Sequence, residues 1–185
     1  MAEAFIHVKL QAATTEDAES IAALRNAISD DLTFRHGRGP WTVHCTTGAV
    51  LADLREGRLL VALRRGEVIA TLKLSVGKPE AVDPGFFSKV ARPCYLTALA
   101  IAPDLQRQGI GRECLAQAAI LARRDKADAI FLKTFDHPAA GAGPFFSKCG
   151  YRETSRGIHL ATPLICYEVL LGKIAAPLRK RNDKR

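Results

Sequence analysis

Leu99-Ala100-Ile101-Ala102-Pro103-Asp104-Leu105-Gln106-Arg107-Gln108-Gly109-Ile110-Gly111-Arg112 decides how this chain is read. An apolar run is stopped by Pro103, and two glycines then open a helix. From about Gly109 to Arg124, Ile110, Cys114, Leu115, Ala118, Leu121 and Ala122 fall on one side at about 100° per residue. Arg112, Glu113, Gln117, Arg123 and Arg124 fall on the other, so the helix is amphipathic. The first turn of any helix leaves backbone N–H groups unpaired, and the dipole adds about half a positive charge there. Glycine lets the backbone approach a phosphate without a Cβ in the way. Arg107 and Arg112 flank the turn and add charge, which makes an anion site of pyrophosphate size. A Gly-x-Gly pair is equally what a loop glycine plus a small packing residue would give. Neither standard phosphate motif fits, because Cys114 holds the third glycine position of GxGxxG and no Lys-Ser/Thr follows.

Working outward, Tyr95 to Ile101 reads as a central buried strand and Ala129-Ile130-Phe131-Leu132-Lys133-Thr134 as another. Strand, helix and strand in that order predict a parallel pair with a right-handed crossover. Upstream, Leu59–Leu63 and Val68–Leu74 flank Arg65-Gly66, a hairpin signal. A short helix is expected over Val50–Glu56, ending at Gly57. Phe5 to Leu10 predicts the first strand, and Thr14 with Asp17 a capping-box-like helix start. Ala18, Ile21, Ala22, Leu24 and Ile28 continue that helix; Ser29 to Trp41 reads as loop. Val76 to Pro93 is a long Pro- and Gly-containing loop carrying Phe86 and Phe87. A short helix near Pro144–Lys148 and strands near Tyr151–Thr154 and Leu164–Leu171 complete the pattern.

The central stretch resembles the GNAT N-acyltransferase superfamily, whose signature is a strand ending Leu-Ala-Val-like, then Pro, then Gln/Arg-x-x-Gly-x-Gly/Ala opening a helix. Leu99-Ala100-Ile101, Pro103 and Gln106-Arg107-Gln108-Gly109-Ile110-Gly111 fit it position by position. The family's Phe-Tyr-x-Lys-x-Gly-Phe ending is matched downstream by Phe145-Phe146-Ser147-Lys148-Cys149-Gly150-Tyr151. The close match covers Tyr95 to Tyr151. The resemblance implies an α/β fold with a mixed, mostly antiparallel central sheet, one parallel strand pair, and helices on both faces. It implies a single acyltransferase domain over 1–172; the basic segment 173–185 is expected, from its charge, to be a flexible tail.

The resemblance further implies acetyl-CoA as co-substrate, and transfer of its acetyl group to a primary amine by direct attack in a ternary complex. Backbone groups of Leu99 and Ile101 would pair with the pantetheine arm. A backbone N–H near Leu99–Ala100 would polarise the thioester carbonyl. Amides of Arg107, Gln108, Gly109, Ile110, Gly111 and Arg112 would take the pyrophosphate, with Gln106 also among the cofactor-binding residues. Phe146 would lie along the cofactor. The amine, on a small molecule or a peptide, would arrive from the other side of the splayed strands, past loops 29–41 and 76–93.

The chain departs from the family where proton transfer is concerned. The family's frequent general acid, the Tyr of the Phe-Tyr pair, is Phe146 here, with no proton to give. A thiolate leaving group, with a thiol pKa of about 8.5, tolerates that. Where many relatives place a Glu base, this chain has Tyr95, a candidate catalytic residue that could orient a water; Glu80, Asp83 and His137 are others. Asp136-His137-Pro138 stands where relatives often carry a cofactor-contacting Asn, and Trp41, Phe86 and Phe87 border the expected acceptor pocket. The departures keep open a CoA-binding module that senses rather than transfers.

Composition is that of a soluble globular protein, with 48% hydrophobic and 25% charged residues. No apolar run approaches the roughly 20 residues that cross a bilayer. Met1-Ala2-Glu3-Ala4-Phe5 carries no secretory pattern, so a cytoplasmic location is expected. The cysteines (Cys45, Cys94, Cys114, Cys149, Cys166) show no CxxC, and His7, His36, His44 and His159 form no ligand spacing, so no metal is expected. From Lys173 onward, six basic residues against Asp183 alone carry +5 of the +8 net charge. A near-neutral body argues against a nucleic-acid surface. The pattern is compatible with either a monomer or a homodimer.

Overall fold

Near-continuous apolar runs, buried on both faces in the central strands, build one seven-stranded sheet in the order β1-β2-β3-β4-β5-β7-β6. In chain order the elements are β1 (Leu10–Ala12), α1 (Ala18–His36), α2 (Thr47–Glu56), β2 (Arg58–Arg64), β3 (Glu67–Ser75), β4 (Pro93–Ile101), α3 (Ile110–Arg124), β5 (Ala129–Phe135), α4 (Gly143–Lys148), β6 (Arg152–His159) and β7 (Thr162–Leu170). This computed structural model describes residues 7–77, 83–159 and 161–172. Phe5 and Ile6, Glu80 with the middle of the 76–93 loop, and the 173–185 tail lie outside the described residues. Among the described residues no helix is long and apolar enough to cross a membrane.

Every adjacent strand pair is antiparallel except β4–β5, the one crossed over by α3. The β2–β3 hairpin turns on Arg65 (φ 53°) and Gly66 (φ 85°). Positive φ at both central residues is what a tight hairpin turn of matching twist requires. Because successive strand residues point to opposite faces, Leu60, Ala62, Leu72, Leu74 and Leu96 pack under Ile110, Cys114, Leu115 and Ala118 of α3. Leu59 and Val61 pack on the other face with Ala18, Ile21 and Ala22 of α1 and Val50 of α2.

Two expectations need correction. The loop predicted from Ser29 is helical as far as His36, and α1 ends only at Gly37 (φ 75°), whose N–H donates to the Thr33 carbonyl at 2.9 Å. Leu32, four residues past Ile28 and half-buried, continues the apolar stripe, and an Asp31–Arg35 ion pair one turn apart supports the outer side of these turns. Of the strand predicted at Phe5–Leu10, the described residues 7–9 are not in a strand, and β1 is Leu10–Ala12, with Leu10 opposite Ala62. Val8, ahead of it, is stitched to α3: its amide donates to Glu113 Oε2 at 3.0 Å and its carbonyl accepts from Gln117 Nε2 at 2.6 Å.

Candidate active site

At the end of β4 the chain is turned by its own side chains. The Ala102 amide makes the last strand bond, to the Ile69 carbonyl at 2.9 Å, and Pro103–Leu105 forms a single 3₁₀ turn. Gln106 Nε2 donates back to the Ile101 carbonyl and Gln108 Nε2 to the Asp104 carbonyl, each at 3.1 Å. Both glutamine side chains therefore brace the turn, leaving only their backbone to face a ligand. Arg107 (φ 66°) and Gly109 (φ 86°) are left-handed, and alternation of the two hands points successive N–H groups into one concavity.

Among the described residues, the N–H groups from Arg107 to Arg112 donate to no protein atom; the first helical bond is Glu113 N–H to the Gly109 carbonyl at 3.1 Å. Glu113 is the acid in the first turn of α3, and its carboxylate is engaged on Val8 rather than on these amides. Arg107 makes no ion pair or side-chain hydrogen bond among the described residues, whereas Arg112 Nη2 donates to the Lys148 carbonyl of α4 at 3.3 Å. Gly111 has a packing duty as well: a Cβ there would lie 3.0 Å from Phe145 Cζ, so its smallness lets α3 and α4 approach.

Beside this turn the sheet opens. Parallel pairing of β4 with β5 covers only Pro93↔Ala129, Cys94↔Ile130 and Tyr95↔Phe131. Beyond Tyr95 the β4 edge has no strand partner on the β5 side among the described residues, while β5 stays paired to β7 through Phe135. On its other edge β4 carries a bulge, since Thr71 to Lys73 of β3 spans Thr97 to Ala100 of β4. The extra residue is accommodated by Ala98, left-handed at φ 53°. A bulge re-aims backbone groups and breaks the ladder; Leu99, Ala100 and Ile101 beside the gap are partly exposed residues, while Leu99 and Ile101 side chains rest on the α3 core. Nothing in the order of residues along β4 signals a left-handed alanine.

The opposite face of the gap, under α1 and α2, is aromatic. Trp41 is 6% exposed, its ring 5.0 Å from His137 and 6.2 Å from Phe135, and His36 stands 6.2 Å from His137. His137 Nδ1 accepts the Ala139 and Ala140 amides at 3.3 and 2.9 Å, which assigns the ring proton to Nε2. That nitrogen is a donor, so His137 has no free lone pair with which to take a proton from an amine.

Tyr95 and Phe146 are placed as packing residues. Tyr95 is 5% exposed and edge-on to Phe131, which in turn stacks on Phe87 at 4.4 Å; burial raises its pKa. A buried phenol with a raised pKa is neutral at neutral pH and does not serve as a base. Phe146, also 5% exposed, lies inside the α3 core between Tyr151 and Tyr167. Burial lifts the Cys94 thiol to about 11 and the Cys114 thiol to about 12, and raises Cys149, so none of these three rests as a thiolate at neutral pH. Among the described residues, no group of three or more His, Cys, Asp or Glu side chains could hold a metal ion.

Residues 21–151 match the Acetyltransferase (GNAT) family. No curated protein matches the chain in sequence. Among solved structures, the chain is similar to the Salmonella typhimurium protein yncA, solved with its cofactor acetyl-CoA (TM-score 0.66, 18% identity, 93% of this chain and 98% of that one). It is similar to the ribosomal-protein-S18-alanine N-acetyltransferase of Escherichia coli (TM-score 0.66, 15% identity, 93% and 98%). It is also similar to the PaiA N-acetyltransferase of Thermoplasma acidophilum in complex with coenzyme A (TM-score 0.65, 12% identity, 87% and 98%). With the family match covering more than half of its 185 residues, a mixed sheet opened beside a turn of unpaired amides is here the fold of an acetyltransferase, and this chain belongs to the GNAT family.

Proposed function

We propose that the chain moves an acetyl group from acetyl-CoA to a primary amine by direct attack in a ternary complex. The single observation that carries this reading is the set of unpaired amides from Arg107 to Arg112, at the foot of the gap between β4 and β5. These amides and the Arg107 guanidinium hold the pyrophosphate, with Arg112 tying the turn to α4. The backbone of Leu99 and Ile101 pairs with the pantetheine arm, and an N–H beside the Ala98 bulge supports the carbonyl oxygen. Acetyl-CoA, when bound, supplies an activated thioester.

Proton handling falls to solvent in this reading. Among the described candidates, Phe146 has no acidic proton, Tyr95 is buried, His137 Nδ1 is spent on two amides and Asp83 caps its own turn by accepting the Gly85 amide. A free alkylamine, with a pKa of about 10.4, must lose a proton before it attacks. The chain therefore orients and desolvates the amine rather than deprotonating it. Calorimetric titration with acetyl-CoA, followed by CoA-thiol release across a panel of amines, tests the reading. Saturable binding and amine-dependent release support it; absence of binding at concentrations that saturate the relatives overturns it.

A further inference from the structure

The residues just ahead of β1 are stitched to the first turns of α3. Glu113 Oε2 accepts the Val8 amide at 3.0 Å, and Glu113 Oε1 lies 3.3 Å from His7 Nδ1. One turn further along, Gln117 brackets the same residues. Its Nε2 donates to the Val8 carbonyl at 2.6 Å and its Oε1 accepts the Leu10 amide at 2.9 Å. Val8 is 7% exposed and belongs to the core under α3, so its backbone is held in place. His7 stands in solvent, and the Glu113 side chain is 29% exposed.

Glu113 is also the acid of the first turn of α3, four residues past Gly109, and its own amide donates to the Gly109 carbonyl. Side chains on a helix lean toward its N-terminus and lie over the residues three and four places earlier. For Glu113 those residues are Ile110 and Gly109, whose amides, among the described residues, donate to no protein atom. A carboxylate released from Val8 is drawn by the helix dipole and by these open amides. They are the groups assigned above to the pyrophosphate. Glu113 would then occupy donors that the phosphates need and set a further negative charge beside them. The Val8 amide and the His7 ring hold it aside.

We propose that this contact is a latch on the cofactor site. With His7 and Val8 docked, Glu113 is turned away and the turn from Arg107 to Arg112 is open to the pyrophosphate; with them displaced, Glu113 closes it. Glu113 is thus a positioning residue, acting on acetyl-CoA through the amides of α3. The proposal rests on the acetyl-transfer reading, which puts the pyrophosphate on that turn, and adds a control of cofactor affinity by the segment ahead of β1. Linkage runs both ways: the factor that docking of this segment adds to CoA affinity is the factor that CoA adds to docking.

The test uses the full chain and calorimetric titration with CoA. Val8→Pro removes the amide donor and should raise the Kd roughly two- to sixfold, the competition expected of one carboxylate at a helix N-terminus. Glu113→Gln alone removes the charge and should bind CoA at least as tightly as wild type. In the double variant Val8→Pro with Glu113→Gln, affinity should return to that of Glu113→Gln alone. Val8→Ala, which keeps the amide but trims a buried side chain, should lower the melting temperature and leave the Kd unchanged. By hydrogen exchange, saturating CoA should slow the Val8 amide of wild type by about the same factor, and have little effect on it in Glu113→Gln. A Kd unmoved by Val8→Pro in a folded protein, or raised alike with and without Glu113→Gln, overturns the latch and leaves acetyl transfer standing, because loosened packing alone does not depend on the charge at position 113. Should Val8→Pro fail to fold, the exchange experiment decides: a Val8 amide that CoA does not slow overturns the proposal. Wild-type protein that binds no CoA overturns the underlying reading instead.

Discussion

Replacing Gly109 by alanine separates the ligand-binding duty of the turn from its packing duty. Gly109 sits at φ 86°, where a Cβ costs about 1–2 kcal/mol. The turn escapes that cost only by rotating Gly109, and rotation swings the neighbouring N–H groups out of the concavity. A hydrogen bond to a charged group contributes about 1.5–3 kcal/mol, so losing one raises the Kd for CoA roughly 10- to 100-fold. Gly66, at φ 85° in the β2–β3 turn with nothing within 4 Å of where a Cβ would stand, carries the same backbone strain far from the gap. Gly66→Ala should therefore lower the melting temperature to a similar degree while leaving CoA affinity intact. Gly111→Ala has a different signature: its Cβ meets Phe145 Cζ at 3.0 Å, an overpacking worth about 1–3 kcal/mol of stability. Calorimetric CoA titration and thermal unfolding of the three variants give the comparison. A Gly109→Ala protein that binds CoA as tightly as wild type would refute the reasoning.

Other outcomes follow from the same geometry. The Glu168 carboxylate, 1% exposed, accepts the Ser88 amide at 2.8 Å, the Ser88 hydroxyl at 2.7 Å and Arg152 at 2.5 Å. Glu168→Gln should cost about 2–4 kcal/mol at neutral pH by denaturant unfolding. Burial pushes the Glu168 pKa up, but these bonds outweigh it and hold it below the ordinary 4.5, so this stability is present above that value and lost as pH falls through the lower folded pKa. The mutant should lack that acid-limb loss, and an unchanged acid limb would contradict the assignment. With proton handling left to solvent, as proposed, kcat/KM for a simple alkylamine should climb about tenfold per pH unit up to about pH 10; a plateau near neutrality would reveal a base. His137→Asn should leave that pH profile unmoved, since Nδ1 is already spent on backbone amides. Thiol labelling of native protein should reach Cys45 and Cys149 before Cys94, Cys114 and Cys166, which are buried.

Much of the fold was legible because local chemistry and tertiary structure agree. The apolar run, its stop at Pro103 and the amphipathic helix beyond point to the same strand–turn–helix, and Arg65-Gly66 between two apolar runs signals the hairpin. The end of α1 was misread because Asp30, Asp31 and the glycines and proline of 37–40 look loop-like, although Leu32 continues the apolar stripe from Ile28 and an Asp31–Arg35 pair supports the helix. Ala98 gives no hint of its left-handed backbone, which is imposed by the mismatch between β3 and β4. The roles of Tyr95 and Phe146 depend on what covers them: Phe87 folds over Phe131, beside Tyr95, and Tyr151 and Tyr167 enclose Phe146. The contact of Glu113 with His7 and Val8 joins the segment ahead of β1 to α3, a juxtaposition that no spacing along the chain encodes.

The most direct measurement follows the backbone amide resonances of the isotope-labelled protein by NMR during titration with CoA. The account predicts saturable, downfield proton shifts concentrated in Arg107 to Arg112, as N–H groups without a protein acceptor take phosphate oxygens. Saturable binding that leaves those resonances unmoved while others shift would contradict it.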